Sequence, residues 1–366
     1  MTSLALPLQQ GERSAPRGGL QLGRMLVHPL YDYLLIGGGL SLLATVYLRF
    51  GGLVSAPAVV SSYAVFEGYL PMLLLLCNFA HVAASSVRLY TKAGDYRGRR
   101  FLTLSLPLAT IATLTLSIAF AAGLGRHVYA LYVTWLPFHY AAQAYGLALL
   151  YCYRSGCKVD DRDRLLLRVA CLLPFAFVLV GGRGSGLEWL APAAWLEHAG
   201  AAAARDAAAA AFYPLSFAAA LAWPLLLMAR GRRLPLISAL IVLSNAVWWT
   251  VLSFINAFVL ATVFHAVQYL AIVVVFHVRE KTAQPGSRGP LFTALSFYAV
   301  SVALAYLLFN VWPLAYVWMG FGLAESVLLS IGVLSLYHFL VDAYIWRLRK
   351  DANYNVVAQG AASAAP

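Results

Sequence analysis

Residues 255–278 read INAFVLATVFHAVQYLAIVVVFHV, twenty-four positions without a Lys, Arg, Asp or Glu, and Arg279-Glu280-Lys281 follow at once. A helix rises 1.5 Å per residue, so about 20 apolar residues cross the roughly 30 Å of bilayer hydrocarbon. The stretch reads as a membrane span, and the charges after it mark an aqueous boundary. Working outward, runs of the same kind fall at 31–48, 62–87, 101–123, 128–153, 165–182, 207–228, 234–252, 291–310 and 316–346. The expected fold is an all-α polytopic bundle of about ten transmembrane helices. The narrowest breaks are Ser253 to Asn256 and Trp312-Pro313, where one polar or Pro-containing turn must separate two spans. With 62% hydrophobic and 11% charged residues, the chain is far from the balance of a soluble domain, and no hydrophilic segment is long enough to form one.

The basic residues give an independent check. With the N-terminus inside, 22 of the 26 Lys and Arg fall in inner segments, and the outer segments hold only Arg49, Arg126, Arg183 and Arg205. One missed helix would invert every later loop, so this split supports ten spans with both termini cytosolic, as in a bacterial inner membrane. Residues 1–27 read as a cytosolic lead-in, 28–350 as the membrane domain and 351–366 as a loose cytosolic tail. Within the membrane domain, 185–211, with Trp189, Trp195 and an Ala run, reads as an outer interfacial helix. The formal charge of +12 has its place in topogenic loops, and no soluble surface carries it, so nucleic acid is not expected as a partner. The bilayer is.

Ionisable groups inside spans are costly and mark function by default. Four of the eight histidines lie there, each with a polar residue three or four positions on: His81 with Ser85, His139 with Gln143, His265 with Gln268, His338 with Asp342. Those offsets share one helix face. A ligating imidazole commonly gives its other N–H to a nearby carboxylate or carbonyl, so the pattern fits a metal site with His81, His139, His265 and His338 as ligands. Asp342, Gln143, Gln268 and Ser85 would then orient the rings. All four histidines fall on even-numbered spans, which run from outside to inside. His81 and His338 stand roughly 10 to 14 Å from the inner charge boundary and His139 and His265 roughly 21 to 23 Å, so one shared site requires tilted or staggered helices. Its expected side is cytosolic.

Weaker candidates are His28 with Asp32, where Pro29 also suits a helix start capped by His28, and Cys77, four residues before His81. Cys77, Cys152, Cys157 and Cys171 show no zinc spacing and no disulfide framework. His277, twelve residues past His265, is rotated by about 120° and displaced by roughly 18 Å, and reads as an interface residue. Gly37-Gly38-Gly39 follows no strand and reads as a helix-packing surface. The cluster Asp160, Asp161 and Asp163 alternates with Arg162 and Arg164 and reads as a salt-bridged loop. A single membrane histidine is often only a strut between helices. Glu67, Glu325 and Asn245 could extend a polar path across the membrane.

Four such histidine-bearing helices resemble the Brp/Blh family of membrane β-carotene dioxygenases. Leu336-Tyr337-His338-Phe339-Leu340-Val341-Asp342 looks like that family's last motif, and Phe138-His139-Tyr140-Ala141-Ala142-Gln143 is similar to its second, with Gln in place of Asp. The chain departs from the family in span number, in a His338 to Asp342 spacing shorter by one residue, and in lacking a doubled histidine near His265. The resemblance implies a polyhistidine non-haem iron site inside a helical bundle, and carotenoid substrate identity is not carried over. The functional expectation is a membrane oxidoreductase acting with oxygen on a lipid-soluble substrate, with an electron-donor protein as partner. Copper and haem are the alternative cofactors. No residue is assigned as catalytic. The competing expectation is a proton-coupled transporter using the same His, Asp and Gln residues as a relay, with Pro71, Pro137 and Pro174 interrupting its helices.

Overall fold

The computed structural model describes residues 18–50, 69–91, 100–181, 191–251 and 254–346. Nearly all of this is helix: α1 Pro29–Ile36, α2 Gly39–Phe50, α3 Leu70–Thr91, α4 Phe101–Ala119, α5 Arg126–Arg154, α6 Asp161–Gly181, α7 Ala199–Ala229, α8 Leu236–Thr250, α9 Phe254–Thr282, α10 Pro290–Trp318 and α11 Leu323–Ile345. Seven described helices are long and apolar enough to cross a membrane, or eight if α1 and α2 form one bent span. Neither α5 nor α8 is among them. Tyrosines, histidines and Gln143 dilute the hydropathy of α5, and α8 has only 15 residues.

Several boundaries differ from the sequence reading. The first apolar run is bent by 58° between Ile36 and Gly39. Gly38 takes φ +79° there, and a Cβ would collide with Ser244 of α8, so the triple glycine both breaks the helix and allows close packing. The helix expected to stop at Trp312-Pro313 continues to Trp318. A π-helical turn, Leu307–Val311, precedes Pro313 and leaves room for its ring, and the stop comes at Gly320, with φ +95°. The alanine run leads directly into the following span. With His198 as N-cap, residues from Ala199 continue into the span as one 31-residue helix, because Ala is the strongest helix former.

The described part of the lead-in is also ordered. Gly19–Gln21 (β1) pairs in parallel with Arg233–Pro235 (β2), Arg154 donates to the Met25 carbonyl at 2.9 and 3.1 Å, and Arg279 donates to that of Leu26. These guanidinium groups satisfy carbonyls that a loose strand would leave to water. Residues 1–17, Glu67, 185–190 and the expected tail 351–366 lie outside the described residues.

The acidic loop is ion-paired as its alternation suggested. Asp163, fully buried, meets Arg230 at 2.5 Å, and Asp160 and Asp163 accept each other's backbone N–H at the start of α6. Among the seven candidate spans the most enclosed are α9, whose apolar stretch is 78% buried, and α3 and α11, each at 56%. The other candidate spans reach at most 33%. His81, His265 and His338 therefore sit on the most enclosed of the candidate spans.

Candidate metal centre

Helices α3, α9 and α11 pack together, with α5 against α11, and bring His81, His139, His265 and His338 into one cluster. The ring centroids are 4.6 Å apart for His81 and His338, 5.2 Å for His81 and His265, 5.0 Å for His139 and His265, and 5.1 Å for His139 and His338. The two-turn depth difference expected from the sequence vanishes because the helix ends are staggered. His139 and His265 lie 15 and 17 residues before the ends of α5 and α9, whereas His338 lies seven before the end of α11.

Ligand atoms of His81, His265 and His338 lie within 4.8 Å of one another, and so do those of His139, His338 and Asp342. His81, His265 and His338 are buried, and His139 is partly so. The Nε2 atoms of all four are buried without a hydrogen-bond partner, and His265 Nδ1 is likewise unsatisfied. A buried ring nitrogen in that state is uncommon, because leaving a polar atom unpaired costs about 1 to 3 kcal/mol.

On His81 and His338 the opposite ring nitrogen is tied down. His81 Nδ1 stands 2.5 Å from the Asn78 carbonyl oxygen, which can only accept, so Nδ1 carries the proton and Nε2 the lone pair. His338 Nδ1 stands 3.0 Å from Ser85 Oγ. His265 stacks on Tyr140 (4.0 Å), whose hydroxyl donates to Thr262 (2.9 Å), and His139 stacks on Phe339 (4.3 Å). Each ring is thus held by a hydrogen bond or by an aromatic face, and the free nitrogens are placed where they could receive a cation.

The expected helper residues take different partners from those their spacing suggested. Ser85 serves His338 on the neighbouring helix as well as donating to its own Val82 carbonyl. Asp342 places one oxygen 3.6 Å from His338 Nε2, while the other accepts the Tyr269 hydroxyl at 2.8 Å. It stands where a ligand could stand, and its carboxylate belongs to one of the two ligand groups. Gln143 donates to the backbone carbonyl of His265 (3.2 Å) and to Gln268 Oε1 (3.4 Å), and Gln268 donates to the Ile36 carbonyl (2.9 Å) at the α1–α2 break. These two amides join helices and touch no imidazole nitrogen.

The weaker candidates lie elsewhere. His28 caps α1 by accepting from Leu30 N at 3.3 Å. Asp32, fully buried, accepts from Leu26 N, Val27 N and the Tyr151 hydroxyl. Cys77 belongs to neither ligand group. It lies in the π-helical turn Leu74–Phe79, whose i→i+5 bonding widens the turn, so a residue four before His81 no longer shares its face. His277 packs on Phe297 of α10 (4.3 Å). Asn245 donates to the Cys171 carbonyl at 3.0 Å and joins α8 to α6.

Sequence reading missed Tyr269. It lies four residues after His265, so the same one-turn rule that selected Asp342 reaches it, and its ring contacts both His81 (5.5 Å) and His338 (5.4 Å). The stacking faces of Tyr140 and Phe339 carried no such signal, because an aromatic beside a histidine is ordinary in an apolar helix. No family, curated protein or solved structure matches the chain.

Proposed function

We propose that His81, His139, His265 and His338, with Asp342, hold a metal ion, and that the chain is an integral membrane oxidoreductase acting with oxygen on a lipid-soluble substrate. The observation that carries this reading is the set of buried Nε2 atoms without partners on rings fixed from behind. Imidazole with one carboxylate suits iron, copper or zinc, and the resemblance to the polyhistidine dioxygenases favours non-haem iron. Ligand atoms crowded within 4.8 Å suit a bare ion better than a porphyrin held between two imidazoles.

Iron so held would supply oxygen binding and one-electron chemistry at its open positions. The protein's own part is to orient and to exclude water. Asn78 and Ser85 set the rings of His81 and His338, and Tyr140 and Phe339 fix those of His265 and His139. Tyr269 keeps a proton at its hydroxyl against the Asp342 carboxylate, beside the cluster.

Purified protein is expected to contain about one iron per chain, with no Soret band in its visible spectrum. A preparation that is fully folded yet holds no iron or copper after supply of either ion removes the reading. The proton-coupled carrier, supported by the His338–Asp342 pair, then takes its place.

The topology belongs to the same reading. The 22 to 4 split of basic residues supports ten spans with cytosolic termini in a bacterial inner membrane, and with it a centre reached from the inner half. A reporter fused after Lys350 should be active only when its active form is cytosolic. Activity restricted to the outer side would overturn both the span count and the sidedness of the site.

A further inference from the structure

Beside the histidines, between α5, α9 and α11, lies a cavity of about 320 Å³. His139, Gln143, Tyr269 and Asp342 give it a polar patch, and Tyr269 and Asp342 there are only 2% and 6% exposed. Apart from the indoles of Trp135 and Trp346, the rest of the wall is apolar, including Leu147, Leu150 and Phe276. Lining residues run from 135 to 150 along α5, about 22 Å of helix. The cavity thus extends along α5 as a slot. Phe138 and Ala142, both exposed, stand on its open side, where a membrane helix faces lipid. Gly146 forms part of the wall, and a Cβ added there would meet no atom within 4 Å.

We infer that this cavity is a binding site for a single apolar lipid chain, entered sideways from the bilayer, with the missing side chain at Gly146 making room for it. The inference rests on the metal-centre reading for what befalls the chain beside His139, while occupancy of the slot can be measured without it. Headgroups are disfavoured because the arm past Gly146 offers almost no hydrogen-bonding partner to a group stripped of water.

The test is photolabelling of the purified full-length protein with palmitic acid carrying a terminal diazirine, followed by peptide mapping and metal analysis of the same sample. Label should appear on slot residues such as Leu147, Leu150 or Trp346. Gly146→Trp should reduce it by about tenfold or more, the scale of overpacking an occupied site. Leu131→Trp, at an exposed position of α5, should leave it unchanged. Gly146→Leu serves the same purpose if the indole prevents folding. Label confined to exposed side chains such as Leu131 and Leu165, or slot label indifferent to filling at Gly146, means surrounding lipid only and overturns the inference. A labelled slot in a protein that takes up no metal would keep this inference and remove the metal centre. Bound metal with an unlabelled slot would do the reverse.

Discussion

His338→Ala is expected to release the bound metal almost completely while leaving the protein folded in detergent. His338 is the one residue common to both ligand groups, and its neighbours on three sides are His81, His139 and Asp342. Loss of a partner that only orients a ligand costs about 10- to 100-fold in affinity or activity, and loss of a ligand should exceed that. Asp342→Asn and Gln143→Leu grade the effect. Asp342→Asn removes a charge 3.6 Å from His338 Nε2 and should weaken metal binding by at least that 10- to 100-fold range. Gln143→Leu breaks bonds to the His265 carbonyl and to Gln268, away from any ring nitrogen, and should act less strongly. Metal content by mass spectrometry, beside a gel-filtration profile for folding, reads all three. Unchanged metal in a folded His338→Ala protein would show that the four histidines are struts between helices.

The largest expected effect on stability lies toward the C-terminal ends of α3 and α9, about two turns after His81 and about four after His265. Arg88, 1% exposed, meets Glu280 at 2.6 Å, and Glu280 is itself only 11% exposed. Breaking a buried ion pair by removing one member costs about 3 to 5 kcal/mol. Glu280→Leu should therefore lower the thermal midpoint in detergent sharply. The double variant Arg88→Met with Glu280→Leu should recover much of the loss, because no charge is left stranded. A single Glu280→Leu protein as stable as wild type would mean that solvent or another group takes over the compensation.

Much of the architecture was legible in the chain because a bilayer restricts what a span can be. Every backbone polar group within hydrocarbon must be satisfied inside its own segment, so an apolar run of the right length is a helix whatever its neighbours do. Each of the ten runs read from the sequence contains a helix in the structure. The same cost of burying polar groups singled out the four histidines before any packing was known, because each needs a partner that its own lipid-facing surface does not offer.

What the sequence left open were properties that depend on two helices at once. The close approach of Gly38 to Ser244 of α8 depends on how the two helices pack, and the continuation through Pro313 depends on a π-helical turn that no residue type announces. The helpers followed the same division. Spacing along one helix pairs Ser85 with His81, but the bundle turns its hydroxyl toward His338, 253 positions away. Spacing made Cys77 a neighbour of His81, but the wide turn between them rotates it off that face. By itself the sequence determined which segments are helical and which side chains are too costly to face lipid, because both follow from the exchange of water for hydrocarbon along a single segment. Only the tertiary structure decided that His81, His139, His265 and His338 meet, which of their nitrogens stay free, and that a largely apolar cavity lies beside them, because those depend on helix stagger and rotation, set by side-chain packing between segments far apart in the chain.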